Sequence, residues 1–150
     1  MKEIYYTYNN EAIASCIFLS ILNNVYEFDI ARSCLVLPFL LDDRTVRYLF
    51  KNKDIETDLE QIIREQPRLF VSFNKRYLSL LPVTINSLMI LSKSNQINIG
   101  AQISIINNPI FDIQNLGERF KKIEEVIPKL LSLTEKHPTS QLYKMLKIQL

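Results

Sequence analysis

The sequence predicts a mainly α (α+β) fold, a compact helical domain with one small β-hairpin. Most apolar residues recur at every third or fourth position, which is the period of a helix face, whereas strict alternation occurs only between Ile97 and Ile105. The chain contains only 2 glycines in 150 residues, and a sheet of many strands needs more tight turns than these allow. This length fits one domain, residues 1–150, around one core.

The first helix is predicted over Ala12–Val25. Asn9 and Asn10 offer a side-chain amide as an N-terminal cap, and Glu11 places an acid in the first turn, where the helix dipole favours it. Apolar residues form two stripes along this segment, so we expect the helix to be buried on two sides.

A second apolar segment, Ile30–Leu41, follows Asp29, which can cap it. Pro38 lacks a backbone N–H and should kink or end a helix here. Helix is the preferred interpretation. A buried strand over Leu35–Leu41 is the alternative, because periodicity does not separate short apolar runs in helices from those in strands.

Two shorter helices should come next. Asp42–Arg44 opens one that continues through Phe50. Thr57–Glu60 has the form of a capping box, in which the threonine hydroxyl and the glutamate carboxylate satisfy backbone amides at the start of a helix. That helix should end at Gln66, because a residue before proline is disfavoured in helical geometry and Pro67 follows.

A long helix is predicted after Pro67. The residues of its inner face recur at intervals of three or four: Phe70, Phe73, Tyr77, Leu81, Thr84, Leu88 and Leu91. Pro82 interrupts this run, so the segment should form either one long kinked helix or two helices in line.

Alternation marks the hairpin. Ile97–Ile99 and Ile103–Ile105 alternate with period two on either side of Gly100 and Ala101. Glycine at the first loop position suits a type II′ turn, which requires a positive φ there.

The last third of the chain returns to the helical period. After a loop at Asn107–Pro109, apolar residues from Ile113 to Ile127 predict a helix, and Pro128 should begin a new turn rather than continue it. Thr139 should cap a last helix that runs to the C-terminus.

Charge and composition identify no class of partner. The chain has 18 Lys and Arg against 16 Asp and Glu, a net charge of +2, which gives no strong field for DNA or a membrane. The start lacks the pattern of a secretory signal, and the longest apolar run, Cys34–Leu41, is far shorter than the ~20 residues that span a bilayer. We therefore expect a cytoplasmic protein with no membrane segment and with free cysteines.

The sequence suggests no catalytic residue, cofactor site or metal site. The sole histidine, His137, has no cysteine or acidic residue at metal-ligand spacing and should be solvated at a helix end. Gly100 and Gly117 stand alone, whereas a phosphate-binding loop needs several glycines. Cys16 and Cys34 are flanked by apolar residues, as core cysteines are. No small-molecule substrate is predicted.

A basic helix face is one candidate binding surface. Arg44, Arg47 and Lys51 share one side of the helix predicted there and could contact DNA phosphates independently of sequence. The alternative is a solvated helix face, where such charges are common.

The last helix is the second candidate. Leu142, Tyr143 and Leu146 form an apolar strip on it. Because so short a helix is ordered only by contacts with other elements, we expect this strip to dock either on a partner or on the domain's own surface.

Helices followed by a hairpin and a further helix make the predicted arrangement winged-helix-like. Winged helices occur both in DNA readers and in protein-docking modules. A reader places a polar, basic recognition helix before its hairpin, whereas Val83–Leu91 offers few polar side chains, chiefly Asn86 and Ser87, and no basic one. The hairpin is therefore predicted to pack or to dock.

Several short motifs follow one another along most of the chain. They are Asn10-Glu11-Ala12, Leu35-Val36-Leu37-Pro38, Leu81-Pro82 with Thr84, the hairpin from Ile97 to Ile105, Leu116-Gly117 with Phe120, and Tyr143 with Leu146. In their order and spacing, the chain resembles the middle component of bacterial ABC-three-component systems, the Lamassu-type antiphage systems.

This resemblance implies a non-enzymatic adaptor. It would bridge an SMC-like ABC ATPase subunit to an effector subunit, a nuclease or another toxic effector, and help convert the sensing of foreign DNA into effector release. Contact with DNA would then be non-specific and made within the complex. A winged-helix DNA-binding transcriptional regulator is the alternative, and a small enzyme comes third.

Overall fold

In the computed structural model of the chain, residues 10–106 and 117–150 are described. This part is mainly helical with a small antiparallel sheet, which confirms the predicted fold class. Its elements are, in order, α1 Glu11–Asn24, β1 Glu27–Asp29, α2 Ile30–Ser33, α3 Val36–Leu40, α4 Asp43–Lys51, α5 Leu59–Glu65, a 3₁₀ turn Pro67–Leu69, α6 Phe73–Lys93, β2 Ile97–Ile99, β3 Gln102–Ile105, α7 Gly117–Glu135 and α8 Thr139–Met145. The predicted contribution of Asn9, the loop at Asn107–Pro109 and the helical positions from Ile113 to Leu116 lie outside the described residues.

Helix α1 lies at the centre of the core. The Asn10 side chain accepts hydrogen bonds from the backbone N–H groups of Ala12 and Ile13, at 3.0 and 3.3 Å, as a cap should. Every residue from Ala14 to Leu22 is buried, because α6 and α7 pack against different sides of the helix. The predicted burial on two sides is confirmed.

The segment Ile30–Leu41 forms two short helices, so the strand alternative for Leu35–Leu41 is wrong. The break falls at Cys34 and Leu35, and Pro38 lies inside α3. A proline ring clashes with the carbonyl four residues earlier, which here belongs to Cys34. In the first turn of α3, however, the missing N–H has no helical partner to lose.

The cap of α5 is shifted by one residue from the prediction. Asp58, and not Thr57, caps the helix and accepts from the Gln61 N–H at 2.8 Å. A helix that begins at Leu59 buries both Leu59 and Ile62 in the core, and this burial sets its register. The prediction that α4 opens at Asp42 is confirmed, because the Asp42 side chain caps this helix.

Both long helices continue through an internal proline. α6 is one helix that contains Pro82, and α7 contains Pro128, so the prediction of a new turn at Pro128 is wrong. Each proline is exposed and removes the hydrogen bond to the carbonyl four residues earlier. Those carbonyls belong to Leu78 and Glu124, which are also exposed, so water can reach the site of the lost bond.

The sheet of the described residues has the order β1-β3-β2. The hairpin strands agree with the prediction, but strand β1 was not predicted, because its three residues are too few for alternation to identify a strand. It pairs with β3 so that Phe28 lies opposite Ile103.

The hairpin turn differs from the predicted type II′, since the only glycine with a positive φ in the described residues is Gly117. Ile99 pairs with Ile103, which leaves three residues between them. A two-residue loop would shift the register by one and move Ile103 to the outer face of the sheet. Burial of Ile97 and Ile103 therefore selects the longer connection.

An arginine ties the C-terminal elements to the rest of the domain. The guanidinium of Arg32, in α2, donates to the carbonyls of Thr134 and His137 and to the hydroxyl of Thr139, the first and last of these at 2.8 and 3.1 Å. The Thr139 hydroxyl donates in turn to Asp29 at 2.6 Å. Thr139 was predicted to cap α8, but Pro138 holds the cap position without a side-chain bond.

Candidate partner-docking surface

The outer face of α6 carries a row of exposed apolar side chains. Leu78, Pro82, Ile85 and Met89 form this row, which we call the α6 strip; its three large side chains are 46–52% exposed. The intervals of four, three and four residues place them on one side of the helix. The opposite side is buried against α1, α3 and β2. Scattered apolar residues are normal on a surface, but an aligned row suggests a contact site.

A backbone acceptor lies within this strip. Pro82 has no N–H to donate to the carbonyl of Leu78, so the helical hydrogen bond at this position is missing. A partner with a polar donor could bond to this carbonyl while it covers the apolar side chains around it.

The charges along α6 are all basic. Its sequence contains Lys75, Arg76 and Lys93 and no acidic residue. Arg76 is turned inward, where it donates to the carbonyls of Pro38 and Leu69 at 3.1 and 3.0 Å. Lys75 and Lys93 remain exposed, one at each end of the strip.

An acidic residue of α1 lies beside the middle of the helix. Glu11 is half-buried and accepts a hydrogen bond from the Asn86 amide at 3.2 Å. The carboxylate is thus held against the neighbouring face of α6, while the two lysines mark the ends.

The predicted phosphate contacts lie together on α4. Arg44, Arg47 and Lys51 are exposed, and their spacing puts them on one face. A guanidinium nitrogen of Arg44 lies 3.8 Å from a carboxylate oxygen of Asp42, whose side chain is 13% exposed, while the Arg44 side chain itself is 48% exposed. Contact with DNA stays a prediction.

Changing these three residues to Glu should weaken DNA binding by the assembled complex. If each binds a phosphate, losing three contacts should lower the slope of log affinity against log salt by about 2–3. Fluorescence anisotropy over a salt series, with two unrelated duplexes, measures this slope. A control variant also replaces three basic residues by Glu, but at exposed lysines outside α4: Lys121, Lys136 and Lys144. If the two variants show the same dependence of DNA affinity on salt, the α4 face is a solvated surface and not a DNA-binding one.

The candidate residues of the last helix pack on the domain itself. Leu142 and Leu146 are 0% and 2% exposed and belong to the core. Tyr143 is half-buried and donates to the carbonyl of Ala31 at 2.6 Å. Of the two predicted alternatives, the structure shows the second: the strip packs on the domain itself. Contact of these residues with a partner stays a prediction.

The helix itself is shorter than predicted. It ends at Met145 and does not reach the C-terminus. Two residues after this end, Lys147 adopts a left-handed φ of 56°. The N–H of Ile148 then donates to the carbonyl of Tyr143 at 3.0 Å, the pattern of a Schellman end.

The reactive residue types lie in protected positions. Burial raises the pKa of the Cys16 and Cys34 thiols, which disfavours the thiolate, and both cysteines are free. His137 was predicted to be solvated, but its Nε2 is shielded from solvent. The hydrogen bond from Arg32 to the His137 carbonyl holds the connection between α7 and α8 against the domain.

Residues 10–106 and 117–150 contain no cluster of His, Cys, Asp or Glu that could hold a metal ion. Within the same residues, every helix is too short or too polar to cross a bilayer.

The α6 strip was not among the predicted sites, although its signal is in the sequence. The prediction used only the period that leads through Phe73, Tyr77 and Leu88. Leu78, Ile85 and Met89 follow the same period on the opposite side. A helix with two apolar sides must bury both or offer one to another molecule.

A family model covers nearly the whole chain. The family model described as ABC-three component (ABC-3C) system Middle Component 3 matches residues 2–150. No curated protein and no solved structure matches the chain.

Proposed function

Because the chain belongs to the Middle Component 3 family of ABC-three-component systems, we propose that it is a non-enzymatic adaptor. In this role it bridges an SMC-like ABC ATPase to an effector in an antiviral defence complex of the Lamassu type. The effector is a nuclease or another toxic protein. The adaptor works in the cytoplasm and needs no cofactor.

The observation that supports an adaptor best is the α6 strip. A middle component must hold other subunits, and aligned apolar side chains on the outside of a long helix suit protein contact. α6 is also anchored over its full inner face, so it can hold a partner in a fixed orientation.

The topology supports the winged-helix-like arrangement predicted from the sequence. A short strand after the first helix joins the hairpin in a sheet of order β1-β3-β2, and α6 directly precedes that hairpin. In a DNA-reading winged helix this is the position of the recognition helix. The centre of the exposed side of α6 is the apolar α6 strip, whereas base edges are read by hydrogen-bonding side chains. The same position therefore favours protein docking over the alternative of a transcriptional regulator.

Co-expression with the proteins encoded beside this chain tests the adaptor. The tagged wild-type chain should co-purify with an ATPase and an effector. Ile85→Asp should weaken this association at least tenfold, because it places a charge in the apolar contact. Ile85 is about half exposed, so thermal denaturation of the isolated variant should match that of the wild type.

Ile55→Asp is the matched control, since Ile55 is an isoleucine of similar exposure outside the strip. It should leave co-purification unchanged. The adaptor role fails if the wild-type chain binds neither neighbouring product, or if the isolated chain alone binds one duplex sequence specifically.

A further inference from the structure

We infer that the α6 strip receives one amphipathic helix of a partner subunit, with acidic side chains towards both ends of the contact. This inference rests on the proposed adaptor function. It adds the secondary structure and the charge of the element that binds.

The spacing of the strip favours a helix as the occupant. Intervals of four, three and four residues alternate as the inward positions of a coiled coil do. Leu78, Pro82, Ile85 and Met89 thus form a seam along the helix axis. A second helix crossing at about 20° can place its own apolar residues between them over several turns.

The charges favour an acidic occupant. Lys75 and Lys93 are exposed at the two ends of the seam, about 27 Å apart along the helix at a rise of ~1.5 Å per residue. No residue of α6 is acidic, and Glu11, beside its middle, is held by Asn86. Two acidic groups on a partner helix, separated by a similar length, would each meet a lysine.

The same charges disfavour a second copy of this chain. Two α6 helices paired antiparallel about Thr84 would place Lys75 of one copy beside Lys93 of the other. A parallel pair would place each lysine beside its own counterpart. Like charges would meet at both ends in either arrangement, so a subunit of different charge is the better fit.

Charge reversal tests the acidic ends. Lys75→Glu with Lys93→Glu should weaken binding to the co-expressed partner about tenfold at low salt, and the difference should shrink as salt screens the pairs. The control reverses Lys121 and Lys136, two exposed lysines outside α6. It should behave as the wild type. If both variants lost the same amount of binding affinity at every salt concentration, the inference that the partner helix has acidic side chains at both ends of the contact would be wrong.

Cross-linking tests the helix. A photoreactive phenylalanine at Ile90, an exposed position next to the strip, should capture a partner peptide whose apolar residues recur at three and four positions between acidic ones. Capture of the same chain, or of a peptide without this pattern, would overturn the inference. So would binding of the isolated chain to vesicles that contain phosphatidylserine.

These outcomes separate the inference from the function on which it rests. A wild-type chain that co-purifies with neither neighbouring product would overturn both. A wild-type chain that co-purifies, but with unchanged binding after charge reversal, would overturn the inference and leave the adaptor standing.

Discussion

Leu142→Asp should lower the free energy of unfolding of the isolated chain by about 5 kcal/mol or more. Leu142 is fully buried and belongs to the core, and truncation of such a leucine to alanine alone costs about 2–5 kcal/mol. A carboxylate in its place must be desolvated or protonated. Since a domain of this size is stable by about 5–15 kcal/mol, much of the variant should be unfolded.

Chemical denaturation followed by circular dichroism measures this loss. Leu150→Asp is the control in the same C-terminal segment, because Leu150 is 99% exposed and the change should move stability by less than about 0.5 kcal/mol. If Leu142→Asp folded normally and lost only its partner, α8 would belong to the interface between subunits and not to the core.

The sequence predicted those features of the helices that depend on residues within one helical turn of each other. Asn10 and Asp42 cap their helices as expected because a cap needs only the next three residues. The inner face of α6 was likewise predicted from its period, and Phe73, Tyr77 and Leu88 are buried.

Features decided by distant residues were not predicted. Strand β1 forms because Phe28 pairs opposite Ile103, which lies 75 positions further along the chain. The three residues of β1 contain no signal that identifies this distant partner. The hairpin register depends on burying Ile97 and Ile103 together. Pro128 was expected to begin a new turn rather than continue the helix, but its exposed position makes the lost hydrogen bond tolerable.

The candidate site divides in the same way. Exposure of Arg44, Arg47 and Lys51 followed from charge and spacing alone. The α6 strip required knowledge of which side of the helix α1, α3 and β2 occupy. Sequence shows that a helix has two apolar sides, and only the tertiary structure shows which side is left uncovered.

The second large effect on stability is expected at Arg32. Its guanidinium donates to three acceptors, one at the end of α7, one on the link and one at the start of α8, and Thr139 continues the network to Asp29. Two of the three acceptors are backbone carbonyls at a helix C-terminal end, where positive charge is favoured. The network thereby holds α8 so that Leu142 stays in the core.

Arg32→Ala should therefore cost about 3 kcal/mol, since hydrogen bonds from a charged donor contribute about 1.5–3 kcal/mol and their acceptors would be left part-buried. For a chain of this length, that corresponds to a midpoint lower by about 6–12 °C in a thermal melt. Arg44→Ala, at an exposed arginine, is the control and should shift it by about 2 °C or less. Thr139→Val should remove part of the same network, so its cost and that of Arg32→Ala should sum to more than the double variant loses. Additive losses, or a melt of Arg32→Ala equal to the wild type, would show that the C-terminal helix is held by its apolar contacts alone.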